Sequence, residues 1–298
     1  MPARTYSSLH RVGDERGWNA VAEPALKHIG ALGLSELAAI CRQQGRSGLP
    51  FPLFEPYRAD QGHAPSGHRG GDHARNDAAD SGVFWRWAQA WTSADIWVEA
   101  RVAHTDPNTD DIRVLGYRSG DRGYLGVQRR DEPAVDAYLL SAYDLAAAVA
   151  NHLGLTTPGA RRAITVPGYA GRIPGSNTAL PSHNHPGSDR DAQEPPAYST
   201  GPLLRAVRST PATVTVVADT DVHAAGVVQS HCTPSRCAWG PDWTAPLATW
   251  VTIRDDGDYL YDPDHRHALP TGIDDLTARI TSLIAADVTA LRHQRERD

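Results

Sequence analysis

The chain has 298 residues, of which 40% are hydrophobic and 21% charged, and its net charge is −6. This is the composition of an ordinary globular protein with enough apolar residues for a sizeable core, so it excludes a chain that is disordered throughout. The acidic balance and the lack of a lysine- or arginine-rich run argue against nucleic acid as the main partner.

The hydropathy pattern and the start of the chain predict where the protein resides. No apolar stretch approaches the ~20 residues that a membrane-spanning helix needs, and the polar start lacks the hydrophobic segment of a secretory signal. We therefore expect a cytoplasmic protein without membrane insertion. Its three cysteines, Cys41, Cys232 and Cys237, are expected to be reduced, since a small odd number does not make a disulfide framework.

Two stretches of the chain contain little that could be buried. Residues 57–81 are rich in Gly, His, Asp and Ala, and residues 168–198 are rich in Pro, Gly, Ser and Asn. We interpret the first as a mobile loop and the second as a linker between two better-patterned halves. The expected organisation is a single domain over residues 1–298.

The first half of the chain is predicted to alternate helices with strands. Its clearest strand covers residues 96–102, in which every second residue is apolar. Ile96 and its apolar neighbours should face the core, and Trp97 should face the other way with Glu99 and Arg101, where a second layer or a partner must cover it. Periodicity and turn residues predict the remaining elements as helices at 34–42, 83–91 and 145–153, an extended proline-rich segment at 49–53, and strands at 112–118, 123–128, 135–140 and 163–166.

The second half is predicted to repeat this plan. It begins with a helix at 203–208 and ends with a helix from Ile273 to Leu291 that has one apolar stripe. Strands are predicted between them at 213–218, 223–228, 247–254 and 258–261, the last two joined by a hairpin at Asp256-Gly257. Hairpin connections favour an α+β fold, with a central antiparallel sheet flanked by helices and a quasi-two-fold arrangement of two halves.

The sequence shows no nucleophile elbow, phosphate-binding glycine loop or zinc-protease motif, so we expect no catalytic residues and no cofactor. Two groups of residues could bind a metal. The first is His231, Cys232 and Cys237, with His223 as a possible fourth ligand, and we favour a loop with two reduced thiols instead. The second group consists of Asp262, Asp264, His265 and His267. We interpret it as a solvated turn without a metal. A metal-dependent hydrolase that uses these His, Cys and Asp residues is the alternative function.

Several segments, in this order along the chain, resemble the EspG family of type VII (ESX) secretion. They are GLPFPL at 48–53, DIWVEARV at 95–102, RSGDRGYLGVQ at 118–128, SAYDLAAAV at 141–149, PGARR at 158–162, ATWV at 248–251 and DGDYL at 256–260. The resemblance runs from about Leu34 to the end of the last helix. It implies one α+β domain with two related halves.

The resemblance also implies a function. EspG-like proteins are cytosolic chaperones without enzymatic activity, and they bind the tips of PE–PPE heterodimers, which are helical secretion substrates, before export. A chaperone of this kind needs an apolar patch with a polar rim. By region, the expected partner-binding residues are Trp97, Glu99, Arg101, Asp110, Arg113 and Tyr117, around the turn at 106–111. A homodimer is a further possible assembly.

Overall fold

The computed structural model of the protein describes residues 24–45, 48–55, 78–170, 213–232 and 240–297. In this part of the chain the fold is α+β, as predicted, with four helices and one large, open, mostly antiparallel sheet. The helices are α1 (Leu34–Gln43), α2 (Ala78–Thr92), α3 (Leu145–Asn151) and α4 (Ile273–Arg295). The strands are β1 (Lys27–Gly33), β2 (Ile96–His104), β3 (Ile112–Ser119), β4 (Arg122–Gln128), β5 (Ala134–Ser141), β6 (Ile164–Thr165), β7 (Thr215–Val216), β8 (Val222–His231), β9 (Leu247–Ile253), β10 (Gly257–Tyr261) and β11 (Ala268–Pro270).

The sheet is built from two meanders that meet in its centre. Its strand order is β1-β5-β4-β3-β2-β8-β9-β10-β11-β6-β7. All neighbours are antiparallel except β6 and β7, which are parallel. The central contact pairs β2 with β8, from Trp97 opposite His231 to His104 opposite Ala224. Each half therefore contributes one meander, and the quasi-two-fold relation of the halves stays a prediction.

One face of the sheet is covered by α3 and α4. The apolar stripe predicted for the last helix is confirmed, because Leu276, Ile280 and Leu283 are buried against the sheet. Burying a side chain of this size contributes about 1.5–3 kcal/mol relative to leaving it in water. The first turn of α4 is capped by Asp275, whose carboxylate accepts a hydrogen bond of 3.1 Å from the Gly272 N–H. Gly154 has φ +72°, as expected for the residue that ends the α3 region.

The opposite face has its own helical layer over the first half. Helices α1 and α2 cover β3, β4 and β5 there, and Phe84, Trp87 and Trp91 of α2 lie in this second core. The tryptophans of the aromatic helix are thus explained mainly by packing. A third apolar cluster, around Tyr259 and Ile253, lies in the second half next to the segment that contains Tyr169.

The structure differs from the sequence predictions at several elements. Strand β1 was not predicted, because its Gly30 (φ +127°) breaks the alternation at a bulge opposite β5. Strand β11 was also missed, since three residues carry no periodicity. The loop predicted to reach residue 81 ends earlier, because α2 begins at Ala78. The predicted helix at 203–208 and most of the predicted linker at 168–198 lie outside the described residues.

Candidate functional site

Three of the six residues predicted to bind a partner are buried. Trp97, Glu99 and Tyr117 are 4%, 5% and 0% exposed, so these three side chains are not accessible to a partner, and of the two covers expected for Trp97 the second layer is the one present. The physical reason is the layer of α1 and α2, which covers Trp97 and Tyr117 on this side of the sheet. The Tyr117 hydroxyl donates a hydrogen bond to the Trp87 carbonyl, and its ring stacks on Tyr124 with centroids 4.9 Å apart. Trp97 and Tyr117 therefore stabilise the core.

Glu99 is buried next to a histidine of the neighbouring strand. The His231 Nε2 atom lies 3.2 Å from Glu99 Oε1. The second oxygen, Oε2, is buried and has no hydrogen-bond partner among the described residues. The side chains of Glu99 and His231 are only 5% and 15% exposed, so this pair holds the centre of the sheet and does not contact a partner.

The other predicted residues do come together at the surface. Arg101 donates to Asp111 Oδ2 from both Nε (2.9 Å) and Nη2 (2.7 Å), and Arg113 Nη2 donates to the same oxygen at 2.7 Å. Burial, and next the charge of Arg101, lower the pKa of Arg113. Asp110 is exposed in the loop before β3 and acts electrostatically on Arg113.

This charged group holds an exposed aromatic residue that the sequence did not single out. Phe54 is 43% exposed, and the Arg113 guanidinium carbon lies 5.3 Å from the centroid of its ring. The Gln128 amide pairs with both backbone groups of Phe54, at 2.9 Å and 2.8 Å, while Arg113 Nη1 donates to the Pro52 carbonyl at 3.0 Å. We call Phe54, Arg101, Asp111 and Arg113 the Phe54 platform. The sequence signal, an apolar residue after a proline-rich segment, is too common to identify it.

An apolar groove lies over the second half of the sheet, on the same face as the Phe54 platform. It has a volume of about 30 Å³, and its walls are formed mainly by apolar and aromatic residues, namely Tyr169, Ala225, Val227, Trp243, Val251 and Tyr261. Thr249 and His265 also line the groove. Arg101 of the Phe54 platform lies directly opposite Val227 in the β2–β8 pair, so platform and groove are neighbours.

His265 differs from the solvated turn residue that the sequence suggested. It is only 4% exposed and adopts φ +51°, and its Nδ1 atom lies 3.0 Å from the Thr249 hydroxyl. Burial lowers the pKa of His265, so the ring is neutral at pH 7. The neighbouring residues of the turn are closer to the surface, with His267 3.5 Å from Asp262.

The residues of the first metal candidate do not converge. His231 faces Glu99 on one side of the sheet, while Cys232 is partly buried and packs against the apolar cluster under α3 and α4. His223 lies at the opposite end of β8, where its ring centroid is 5.8 Å from that of His104. Cys237 lies outside the described residues. Within those residues, no three or more His, Cys, Asp and Glu side chains are grouped as a metal ion would require.

None of the described helices combines the length and the apolar character needed to span a membrane. In comparisons with known proteins, no family model matches this chain, and no curated protein is significantly similar to it.

Proposed function

We propose that this protein is a cytoplasmic adaptor that binds helical secretion substrates, of the PE–PPE type, before their export by a type VII (ESX) system. The resemblance of the ordered segments to the EspG family supports this assignment. So does the fold class that the resemblance implies, an α+β domain with a central antiparallel sheet. In this proposal the protein acts by binding and has no catalytic role.

The observation that carries the proposal is the Phe54 platform. An exposed phenylalanine with both backbone groups bonded by Gln128 pays little conformational entropy when a partner covers it. A ring below a guanidinium combines the aromatic and arginine chemistry that is enriched at the energetic centres of interfaces. The platform also lies at the foot of the β2–β3 loop, in the region where the resemblance places partner contacts.

The test is co-expression with small helical ESX-type proteins, followed by size-exclusion chromatography with light scattering. We expect a discrete complex, and we expect Phe54→Ala to weaken it about tenfold or more, as for a central interface residue. Tyr143→Ala is the matched control, because Tyr143 is an aromatic residue that is 94% exposed and lies in the turn before α3. Trp97→Ala would instead report on stability, since Trp97 is buried.

Two outcomes would contradict the proposal. If no candidate substrate co-elutes with the folded protein, the adaptor function loses its experimental basis. If a complex forms but Phe54→Ala and Tyr143→Ala behave alike, the partner binds elsewhere. A metal-dependent hydrolase stays the alternative, and stoichiometric zinc that survives chelation would favour it.

A further inference from the structure

The two outer strands of the described sheet differ in how their free edges are protected. Strand β1 forms one edge of the sheet, and β7 forms the other. Strand β1 contains Lys27, the only lysine of the chain, and a bulge between His28 and Gly30. An edge lysine and a bulge are two of the features by which natural sheets avoid pairing with another chain. The β1 edge is therefore protected against such pairing.

The edge formed by β7 has an uncharged sequence and an exposed apolar side chain. Residues 213–218 read TVTVVA, so they combine β-branched residues with the absence of charge and of proline. Although β7 itself has two residues, the backbone is still extended at Ala218 (φ −71°, ψ 146°). Val216 is 69% exposed. An uncharged edge of this kind is a template for pairing with another strand.

The backbone of β7 presents hydrogen-bonding groups at this outer edge. On the inner side, the Thr215 N–H donates to the Ala163 carbonyl and the Val217 N–H to the Thr165 carbonyl, both at 2.9 Å. Since the backbone groups of successive residues in a strand point in opposite directions, the N–H and C=O groups of Val216 point outward. Among the described residues, none bonds to these two groups.

We propose that β7 is the contact surface of a homodimer, in which the β7 edges of two copies pair in antiparallel orientation around Val216. In this pair each Val216 N–H donates to the carbonyl of the partner's Val216, and Val214 lies opposite the partner's Ala218. The two Val216 side chains lie side by side and lose contact with water. A two-fold axis relates the copies, as in the commonest soluble homo-oligomers.

The charges next to β7 favour a second copy in this orientation. Asp219 and Asp221 directly follow the uncharged segment. In a parallel pair in register, each aspartate would face its counterpart, and like charges directly opposite each other are destabilising. In the antiparallel pair, Asp219 lies opposite the partner's Thr213, and the aspartates of the two copies lie at opposite ends of the interface. The acidic residues therefore select the antiparallel register.

Pairing through one edge alone ends the assembly at two copies. If both edges of the sheet were open, each copy could add its β7 to the β1 of the next copy, and such a head-to-tail contact produces fibres when it does not close. Lys27 and the bulge oppose this contact at β1. The contrast between the two edges therefore fits a closed dimer.

The proposed interface is remote from the Phe54 platform. Five strands separate β7 from β2, the strand that carries Arg101 of the platform. At the usual spacing of neighbouring strands, this separation is roughly 30 Å. A dimer through β7 thus need not cover either platform, and the inference does not depend on the proposed function.

Sedimentation equilibrium of the purified full chain over a wide range of protein concentration tests the dimer. We expect a reversible equilibrium between monomer and dimer. Val216→Lys should weaken the dimer by about tenfold or more, because two lysines would face each other across the two-fold axis. Leu269→Lys is the matched control and should dimerise as the wild type does. Leu269 is also exposed (45%), but it lies on β11, which has β10 and β6 on its two sides.

A mixture of two variants tests the two-fold axis directly. Val216→Glu alone should weaken the dimer as Val216→Lys does. An equimolar mixture of the two variants should form a dimer again, because opposite charges then face each other at position 216. Circular dichroism checks that each variant is folded, as expected for substitutions at an exposed side chain.

Three results would overturn the inference. A folded wild type that stays monomeric at every concentration means that no second copy pairs with β7. A dimer that Val216→Lys leaves intact forms through another surface. If the mixture of the Lys and Glu variants stays monomeric, position 216 does not face its counterpart, and the antiparallel pair around Val216 is wrong.

Discussion

Glu99 is the residue whose surroundings differ most from what its chemistry would lead one to expect. A carboxylate in the middle of a sheet has lost its water and retains one neighbour that can carry a compensating charge, His231 at 3.2 Å. Arg101, two residues away on the same face, bonds to Asp111 instead. The Glu99–His231 pair therefore has a structural role, because it joins β2 to β8 at the junction of the two halves.

We predict that His231→Ala destabilises the protein by about 3 kcal/mol, because it leaves a buried carboxylate without a partner. The double variant Glu99→Met with His231→Leu should recover most of this loss, since apolar residues of similar size replace both polar groups. Urea denaturation of the three proteins measures the difference. A double variant no more stable than His231→Ala would show that the loss of stability does not come from leaving the Glu99 carboxylate unpaired.

At the scale of elements, strands β8 and β9 approach each other closely where a glycine faces a tryptophan. Gly226 lies opposite Trp250, and a Cβ atom at Gly226 would come within 2.0 Å of the Trp250 ring. Trp250 is 1% exposed and cannot move away without disturbing the core under α4. A glycine in the middle of a strand costs conformational entropy, and here it is needed so that the indole ring can lie flat against the backbone.

We therefore expect Gly226→Ala to destabilise the protein by about 1–3 kcal/mol, the usual cost of overpacking a core. Gly48→Ala is the matched control, because a Cβ atom there meets none of the described residues within 4 Å, and it should change stability by less than about 0.5 kcal/mol. Thermal unfolding followed by circular dichroism compares the two. Equal melting temperatures for both variants would mean that Trp250 repacks freely.

At the scale of the whole molecule, the two halves share one hydrophobic core. The β2–β8 pair runs through the centre of the sheet, and α3 of the first half packs with α4 of the second in the same apolar cluster. Neither helix could keep its buried face covered if the halves separated. Domain boundaries normally fall where few contacts cross, and here many do.

The described residues should therefore unfold as one cooperative unit. Tryptophan fluorescence reports on both halves, through Trp87 and Trp91 in the first and Trp250 in the second, and far-ultraviolet circular dichroism reports on the helices and strands. We expect their urea transitions to coincide. Two separated transitions would show that the halves are independent domains.

Local patterns in the sequence determined most elements and the fold class. Alternation identified β2, turn residues identified the hairpins, and the 3.6-residue stripe identified α4, because each of these signals comes from a few neighbouring residues. Strands β1 and β11 were not predicted. The bulge at Gly30 interrupts the alternation of β1, and β11 has only three residues, too few to show a period.

Only the tertiary structure decided which residues are accessible. The alternation of β2 correctly placed Trp97 and Glu99 on the face opposite to Ile96. It cannot show whether that face meets water or a second layer of structure, and α1 and α2 provide such a layer. The Phe54 platform unites residues 54, 101, 111 and 113, and the groove unites residues from 169 to 265. Such sites arise from contacts between distant segments, for which a single sequence carries no local signal.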